Sequence, residues 1–302
     1  MNLPSAVTIK EVGPRDGLQN EKEIVKTEDK IQWIDRLSQT GLKHIEITSF
    51  VNPKWIPALA DALEVAKGIT RAPGVTYSAL VPNMRGLDGA LQADLDEVAV
   101  FMSATESHNQ KNINKSIDAT FPILQEVVTE AKKSGKIVRG YLSTVFGCPY
   151  EGVTDRAQVA YVAEQLLAMG IDELSLGDTI GVANPRQVQE LLALLLQTMP
   201  AEKLAMHFHD TRGTAMANVL ASLQMGITTF DSSLGGLGGC PYAPGASGNL
   251  ATDDLLYMLH GMGISTGVDG EKIMEAAKLI QAKIGRSLPS HALQAAADAC
   301  PS

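Results

Sequence analysis

Eight short apolar, β-branched segments recur along the 302-residue chain, and this repetition constrains the fold more than any other feature. They lie near 7–12 (VTIKEV), 44–49 (HIEITS), 75–81 (VTYSALV), 97–103 (EVAVFMS), 136–144 (KIVRGYLST), 171–177 (IDELSLG), 205–210 (AMHFHD) and 228–234 (TTFDSSL). Their starts are 22 to 39 residues apart, the length of one βα unit. Helical patterns fill the gaps. TEDKIQWIDRLSQTG places Thr27 as an N-cap and closes at Gly41, and DRAQVAYVAEQLLAMG closes at Gly170. Strands alternating with helices predict a parallel sheet. The count of eight predicts closure into an α/β, (β/α)8 TIM barrel. An open doubly wound sheet is the alternative. The first segment is not followed by G-x-G-x-x-G, and there is no P-loop, so the usual dinucleotide reading falls away.

The expected organisation is a single domain over 1–302. The barrel occupies about 5–262 and a C-terminal helical extension about 263–302, with helical patterns at 251–262 and 270–284 before an Ala-rich tail. Net charge is -9, and no Lys/Arg stripe interleaves with aromatics, so nucleic-acid binding is disfavoured. No uncharged apolar run approaches ~18 residues, so no membrane span is expected. The N-terminal MNLPSAVTIKEVG lacks a basic region followed by an apolar one, and ACPS matches neither a peroxisomal nor a prenylation signal. Three widely spaced cysteines, Cys148, Cys240 and Cys300, argue against a disulfide framework and for a reducing compartment. A cytoplasmic bacterial protein is expected, although a processed mitochondrial chain would look similar.

In a TIM barrel the active site lies at the C-terminal ends of the strands, and reactive residues collect there. The seventh segment ends His207-Phe208-His209-Asp210. Alternation puts His207 and His209 on one face, as a metal-binding pair or as two hydrogen-bonded histidines. The first segment runs into Gly13-Pro14-Arg15-Asp16-Gly17, a turn that brings Arg15 and Asp16 to the mouth. Asp16 is either a solvated turn residue or the hard oxygen ligand with which a His pair holds Mg²⁺ or Mn²⁺ rather than Zn²⁺. Glu46, between Ile45 and Ile47, faces the opposite way from both. It is an interior carboxylate partnered by Arg15 or a solvated strand-end charge. Asp178, at the end of the sixth segment, reads on its own as a helix cap. Residues 235–249, GGLGGCPYAPGASGN, hold six glycines and suit a lid or a close backbone approach to ligand. Cys240 within them is a reactive thiol or an incidental one. Cys148 and Cys300 have no such context. The stretch SATESHNQKNINKSI, a polar loop with Lys111 and Lys115, either meets a phosphorylated ligand arm or is simply solvated.

Together these runs resemble the 3-hydroxy-3-methylglutaryl-CoA lyase family, within the metal-dependent TIM-barrel lyases and acyltransferases related to isopropylmalate synthase. The matching runs are EVGPRDGLQNEK (11–22), IEITSFVNPKW (45–55), SLGDTIG (175–181), HFHDTRG (207–213) and GLGGCPYAPGASGNLATDDLLYML (236–259). The cysteine loop is the most specific of them. The resemblance implies a divalent cation, Mg²⁺ or Mn²⁺, ligated by Asp16, His207, His209 and Asn249. It implies that Arg15, held by Glu46, binds the thioester oxygen, and that Cys240 is the catalytic thiol. Asp178 would lie near the metal and help handle protons, with His207 or Asp178 as base. Gln19, Ser49 and Ser175 join Arg15 as implied substrate contacts.

The implied reaction cleaves 3-hydroxy-3-methylglutaryl-CoA to acetyl-CoA and acetoacetate through an acetyl-CoA enolate. The family's setting is leucine breakdown or ketone-body formation, and a homodimer is expected. Three rivals stand beside this reading. One is a lyase for a longer branched 3-hydroxyglutaryl-CoA, and another condenses a 2-oxo acid with acetyl-CoA. The third is a metal-binding barrel without catalysis.

Overall fold

The computed structural model describes residues 3–21, 23–239 and 248–298. Eight strands form a closed barrel: β1 (Thr8–Glu11), β2 (His44–Ser49), β3 (Thr76–Leu80), β4 (Glu97–Ser103), β5 (Ile137–Ser143), β6 (Glu173–Asp178), β7 (Leu204–Phe208) and β8 (Thr229–Ser232). Every neighbouring pair is parallel, and β1 closes on β8 with Ile9 beside Phe230 and Lys10 beside Asp231. All eight expected strands are present. A small antiparallel hairpin, Gly147–Cys148 with Gly152–Val153, is an addition the sequence reading did not anticipate. Cys148 is buried.

The helices are α1 (Thr27–Leu37), α2 (Ala62–Gly68), α3 (Met84–Gln92), α4 (Glu106–Ile113), α5 (Ile117–Lys133), α6 (Arg156–Ala168), α7 (Pro185–Leu195), α8 (Ala215–Gln224), α9 (Thr252–Gly261), α10 (Gly270–Ile284) and α11 (His291–Asp298). Local chemistry sets several of their ends. The Asp155 carboxylate accepts the Ala157 N–H to open α6, and Gly170 at φ +96° closes it. Asn184 and Gln187 form a reciprocal capping box around Pro185 at the start of α7. The expectation for α1 needs correction. Its cap position is Lys26, and the Thr27 hydroxyl instead donates to Asp61 Oδ2 at 2.8 Å. The polar stretch carrying Lys111 is also not a loop but mostly helix α4. None of the described helices is long and apolar enough to cross a membrane.

Alternation divides each strand between two environments. Ile9, Ile45, Ile47, Val98, Val100, Leu174, Leu176, Met206, Phe208 and Phe230 are buried in the main hydrophobic core. The residues between them point into the barrel, and many are charged: Lys10, Glu46, Glu97, Arg139, Glu173 and Asp231. Such charges are tolerated only when paired. Lys10 Nζ lies 3.3 Å from Glu97 and 3.0 Å from Glu173. Arg139 joins Glu173 and Asp231, each at 2.6 Å.

The C-terminal extension packs onto the barrel. Lys283 of α10 pairs with Asp29 of α1 at 2.7 Å, and the Ser290 N–H donates to the Gly235 carbonyl at 3.1 Å. Glu11 ties this side together. Its carboxylate accepts the Gly13 and Leu234 N–H groups at 2.8 and 2.9 Å and the Thr252 hydroxyl at 2.7 Å. A Cβ on Gly13 would stand 2.6 Å from that carboxylate, so a larger residue there displaces the clamp.

Burial lifts the Glu11 carboxyl from 4.5 to about 7, against those hydrogen bonds. Between the two values the native state holds more protons than the unfolded one. The stabilisation is therefore complete below about 4.5 and is lost as pH rises through about 7, on the order of 3 kcal/mol in all. Glu11→Gln should remove this dependence, so the variant's stability relative to the parent climbs between pH 5 and 8. Thermal melts at both pH values check it, and a constant difference would contradict it.

Candidate active site

The site is assembled where β1, β2, β6, β7 and β8 end. After β1 the backbone makes one wide helical turn over Gly13–Gly17, with Leu18 N–H reaching back to the Gly13 carbonyl at 3.0 Å. This turn brings Arg15 and Asp16 over the barrel mouth. Arg15 Nε donates to Glu46 Oε2 at 2.7 Å and its Nη1 to Asp16 Oδ1 at 2.6 Å. Its guanidinium lies 5.2 Å from the Tyr141 ring centroid, and the Tyr141 hydroxyl donates to the same Glu46 oxygen at 3.1 Å. Burial opposes the Arg15 charge, but Glu46 and Asp16 outweigh it and keep the guanidinium ionised. Burial pushes the Glu46 carboxyl up against the pull of Arg15. Glu46 is thus the interior carboxylate, not a solvated strand end.

Asp16, His207 and His209 place their ligand atoms within 4.8 Å of one another, and all three residues are buried. Both imidazole Nε2 atoms lie 3.9 Å from Asp16 Oδ2. Burial raises the Asp16 carboxyl, yet Arg15, His207 and His209 bring it down to about 2. Burial and the neighbouring His207 hold His209 down to about 4. At neutral pH the pair is therefore one anionic oxygen with a neutral imidazole beside it, the protonation states that metal binding requires.

Asn249 adjoins the cluster. Its backbone bridges to His209, and its Nδ2 donates to Asp16 Oδ2 at 2.8 Å and to the Leu237 carbonyl at 3.1 Å. Its Oδ1 is buried with no hydrogen-bond partner among the described residues. An orphaned buried acceptor costs free energy unless something fills it, and a hard cation beside Asp16 fits that oxygen. Gly238, at φ +115°, leaves room for this amide, because a Cβ there would stand 2.6 Å from Nδ2.

These groups open onto a cavity of about 800 Å³. Arg15, Asp16, Gln19, Ser175, His207 and His209 line it together. Gln19 Nε2 donates to Asp16 Oδ1 at 2.9 Å, and the Ser175 hydroxyl donates to Asp231 at 2.7 Å. Apolar walls come from Leu80, Phe101 and Leu142, and Lys111 and Lys115 stand at one side. Two expected residues sit differently. Ser49 is buried, accepts the Val51 N–H at 3.3 Å and is not among the lining residues. Asp178 is also buried outside the lining. Its carboxylate accepts the Val182 and Ala183 N–H groups at 3.0 and 2.9 Å, anchoring the loop before α7, whose own cap is Asn184. Burial raises the Asp178 carboxyl. Cys240 lies outside the described residues, as does Cys300. Gly239, the residue before Cys240, lines the cavity. Sequence reasoning passed over Tyr141, Arg139 and Asp231. Their signal was the alternation Arg139-Gly140-Tyr141 in β5 and the lone Asp231 in β8, polar positions facing inward.

A family model described as HMGL-like matches residues 6–280. The chain belongs to the HMGL-like family. It is 61% identical over 294 residues to a Bacillus subtilis protein named hydroxymethylglutaryl-CoA lyase YngG, covering 97% of this chain and 98% of that one. It is 50% identical over 295 residues to a Pseudomonas aeruginosa protein named 3-hydroxy-3-isohexenylglutaryl-CoA/hydroxy-methylglutaryl-CoA lyase, covering 98% of each. The crystal structure of the Bacillus subtilis HMG-CoA lyase superposes with a TM-score of 0.98 at 60% identity, covering 99% of this chain and all of that one. In this HMGL-like chain, loss of an imidazole should loosen a divalent cation. His209→Ala should weaken Mn²⁺ affinity by more than ~10-fold, at least the loss seen for an outer-shell partner. Unchanged affinity in a titration would remove His209 from the set.

Proposed function

We propose that the chain is a carbon–carbon lyase that cleaves 3-hydroxy-3-methylglutaryl-CoA to acetyl-CoA and acetoacetate. The observation that carries this reading is one cavity with two chemically distinct sides, the Asp16–His207–His209 cluster and the Arg15–Glu46 pair, in a chain 61% identical to a lyase named for that substrate. A mixed oxygen and imidazole donor set with the Asn249 carbonyl oxygen suits Mg²⁺ or Mn²⁺. Asp16, His207, His209 and Asn249 would hold the ion, which when bound supplies Lewis-acid polarisation of the substrate's C3 oxygen.

The side chains divide the remaining work. A base takes the proton of the C3 hydroxyl. His207, in the cavity lining, can serve only while its Nε2 lone pair is not given to the ion, and Asp178, whose carboxylate lies outside that lining, rests on the resemblance alone. The C3–O pair becomes a carbonyl, the C2–C3 bond breaks, and its electrons pass to the thioester as an enolate. Arg15, kept ionised and aimed by Glu46, stabilises the charge on the thioester oxygen. Cys240 protonates C2 to give acetyl-CoA, a role that rests on the resemblance of its loop. Lys111 and Lys115 beside the cavity suit the phosphorylated arm of an acyl-CoA. The apolar wall of Leu80, Phe101 and Leu142 suits its acyl part. A cytoplasmic homodimer working in leucine breakdown or ketone-body formation rests on the resemblance alone.

EDTA-stripped protein should cleave the substrate only after Mg²⁺ or Mn²⁺ is restored, with acetoacetate as the readout. Equal turnover without metal, or none with metal bound, would overturn the reading. Cys240→Ala should lower turnover by ~10²-fold or more, as for loss of a general acid, with little change in melting temperature. A rate near that of the parent would remove the thiol from the acid role.

A further inference from the structure

Below His207 the barrel interior holds a carboxylate that the catalytic scheme does not use. Asp231 points inward from β8, is 1% exposed, and neighbours His207 across the β8–β7 pairing. Three donors pin it. Arg139 Nη2 donates to Oδ1 at 2.6 Å, Arg139 Nη1 to Oδ2 at 3.2 Å, and the Ser175 hydroxyl to Oδ2 at 2.7 Å. Arg139 is fixed in turn by Glu173 at 2.6 Å and by the Tyr141 hydroxyl at 2.7 Å. The Oδ2 atom stands 3.3 Å from His207 Nδ1, the far side of the ring from the Nε2 that faces Asp16. The two atoms are within hydrogen-bonding distance but not in hydrogen-bond alignment, and no other acceptor meets Nδ1 among the described residues. His209 differs, because among the described residues no carboxylate lies against its buried Nδ1.

A neutral imidazole has one N–H and one lone pair, and the group opposite one nitrogen decides where the proton sits. A carboxylate facing Nδ1 repels a lone pair there and attracts an N–H. We propose that Asp231, locked by Arg139 and Ser175, is a positioning residue that holds His207 in the Nδ1–H form, so that its Nε2 lone pair faces the cavity. This rests on the reading of His207 as a cation ligand or base, and both uses need that lone pair. Ser175 then serves Asp231 as well as lining the cavity. Arg139 becomes a shared support: through Asp231 it reaches His207, and through Tyr141 and Glu46 it reaches Arg15.

The test begins on the metal-free parent chain labelled with ¹⁵N-histidine, using long-range ¹H–¹⁵N correlation near pH 8. Among six histidines, the His207 signals are identified by their loss in His207→Gln. Asp231 as positioning residue requires a protonated Nδ1 and an unprotonated Nε2. An Nε2–H form overturns the proposal without any Asp231 variant having to fold. The second arm measures Mn²⁺ affinity by electron paramagnetic resonance in the parent and in Asp231→Asn, with melting followed in parallel. A ~10- to 100-fold loss in the variant is expected, the range typical of an outer-shell partner. Tight Mn²⁺ binding by the parent with equal affinity in a folded Asp231→Asn refutes the role of Asp231. A parent that shows the Nδ1–H form but binds no Mn²⁺ refutes the cation reading instead and leaves the Asp231 contact standing.

Discussion

The barrel is filled by charge, and the pairing of that charge is the constraint on which the site depends. Arg139 lies at the centre of the interior with 1% exposure, bonded to Glu173, Asp231 and the Tyr141 hydroxyl. A buried ion pair contributes little net stability against an apolar replacement, whereas removing one partner costs roughly 3–5 kcal/mol. Net stability alone therefore does not account for a charged interior, which makes most sense as a support for what stands above it. Lys10, Glu97 and Glu173 form the lower layer, and Arg139 and Asp231 carry it to the level of His207. Tyr141 and Glu46 carry it to Arg15.

Above this array the proposed reaction gives the mouth two halves with opposite electrostatic tasks. In that reading the Asp16 cluster gathers acceptors for a cation, and Arg15 presents a cation of its own to the thioester oxygen. They are adjacent, because Arg15 Nη1 touches Asp16 Oδ1 while Asp16 Oδ2 faces the histidines. One carboxylate thus orients the guanidinium and faces the proposed metal position at once. A retro-Claisen cleavage needs this separation of roles. Charge must be stabilised first on the C3 oxygen and then on the thioester oxygen, at two places on one substrate.

Much of this was legible from the sequence, for physical reasons. Strand alternation and the recurrence of βα units foretold the barrel, and strand ends foretold where Arg15, Asp16, Glu46, His207 and His209 meet. Two readings failed, each for its own reason. Thr27 was expected to cap its own helix, yet Asp61 of a distant segment claims its hydroxyl. The polar stretch around Lys111 carries weak periodicity and forms α4 all the same. Arg139, Tyr141 and Asp231 escaped notice because their partners lie on other strands, and only closure of the barrel brings them together.

The central claim is that the two halves of the mouth are chemically separate, and Arg15→Gln tests it most directly when Mn²⁺ affinity and substrate cleavage are measured on the same preparation. Removing a guanidinium beside a cation position cannot weaken the cation by electrostatics, and Asp16 stays ionised near pH 8. The account predicts cleavage lower by ~10²- to 10³-fold, the effect of losing one oxyanion donor, with Mn²⁺ affinity unchanged or tighter. Affinity and turnover falling together would contradict it, and would make Arg15 a part of the cation site.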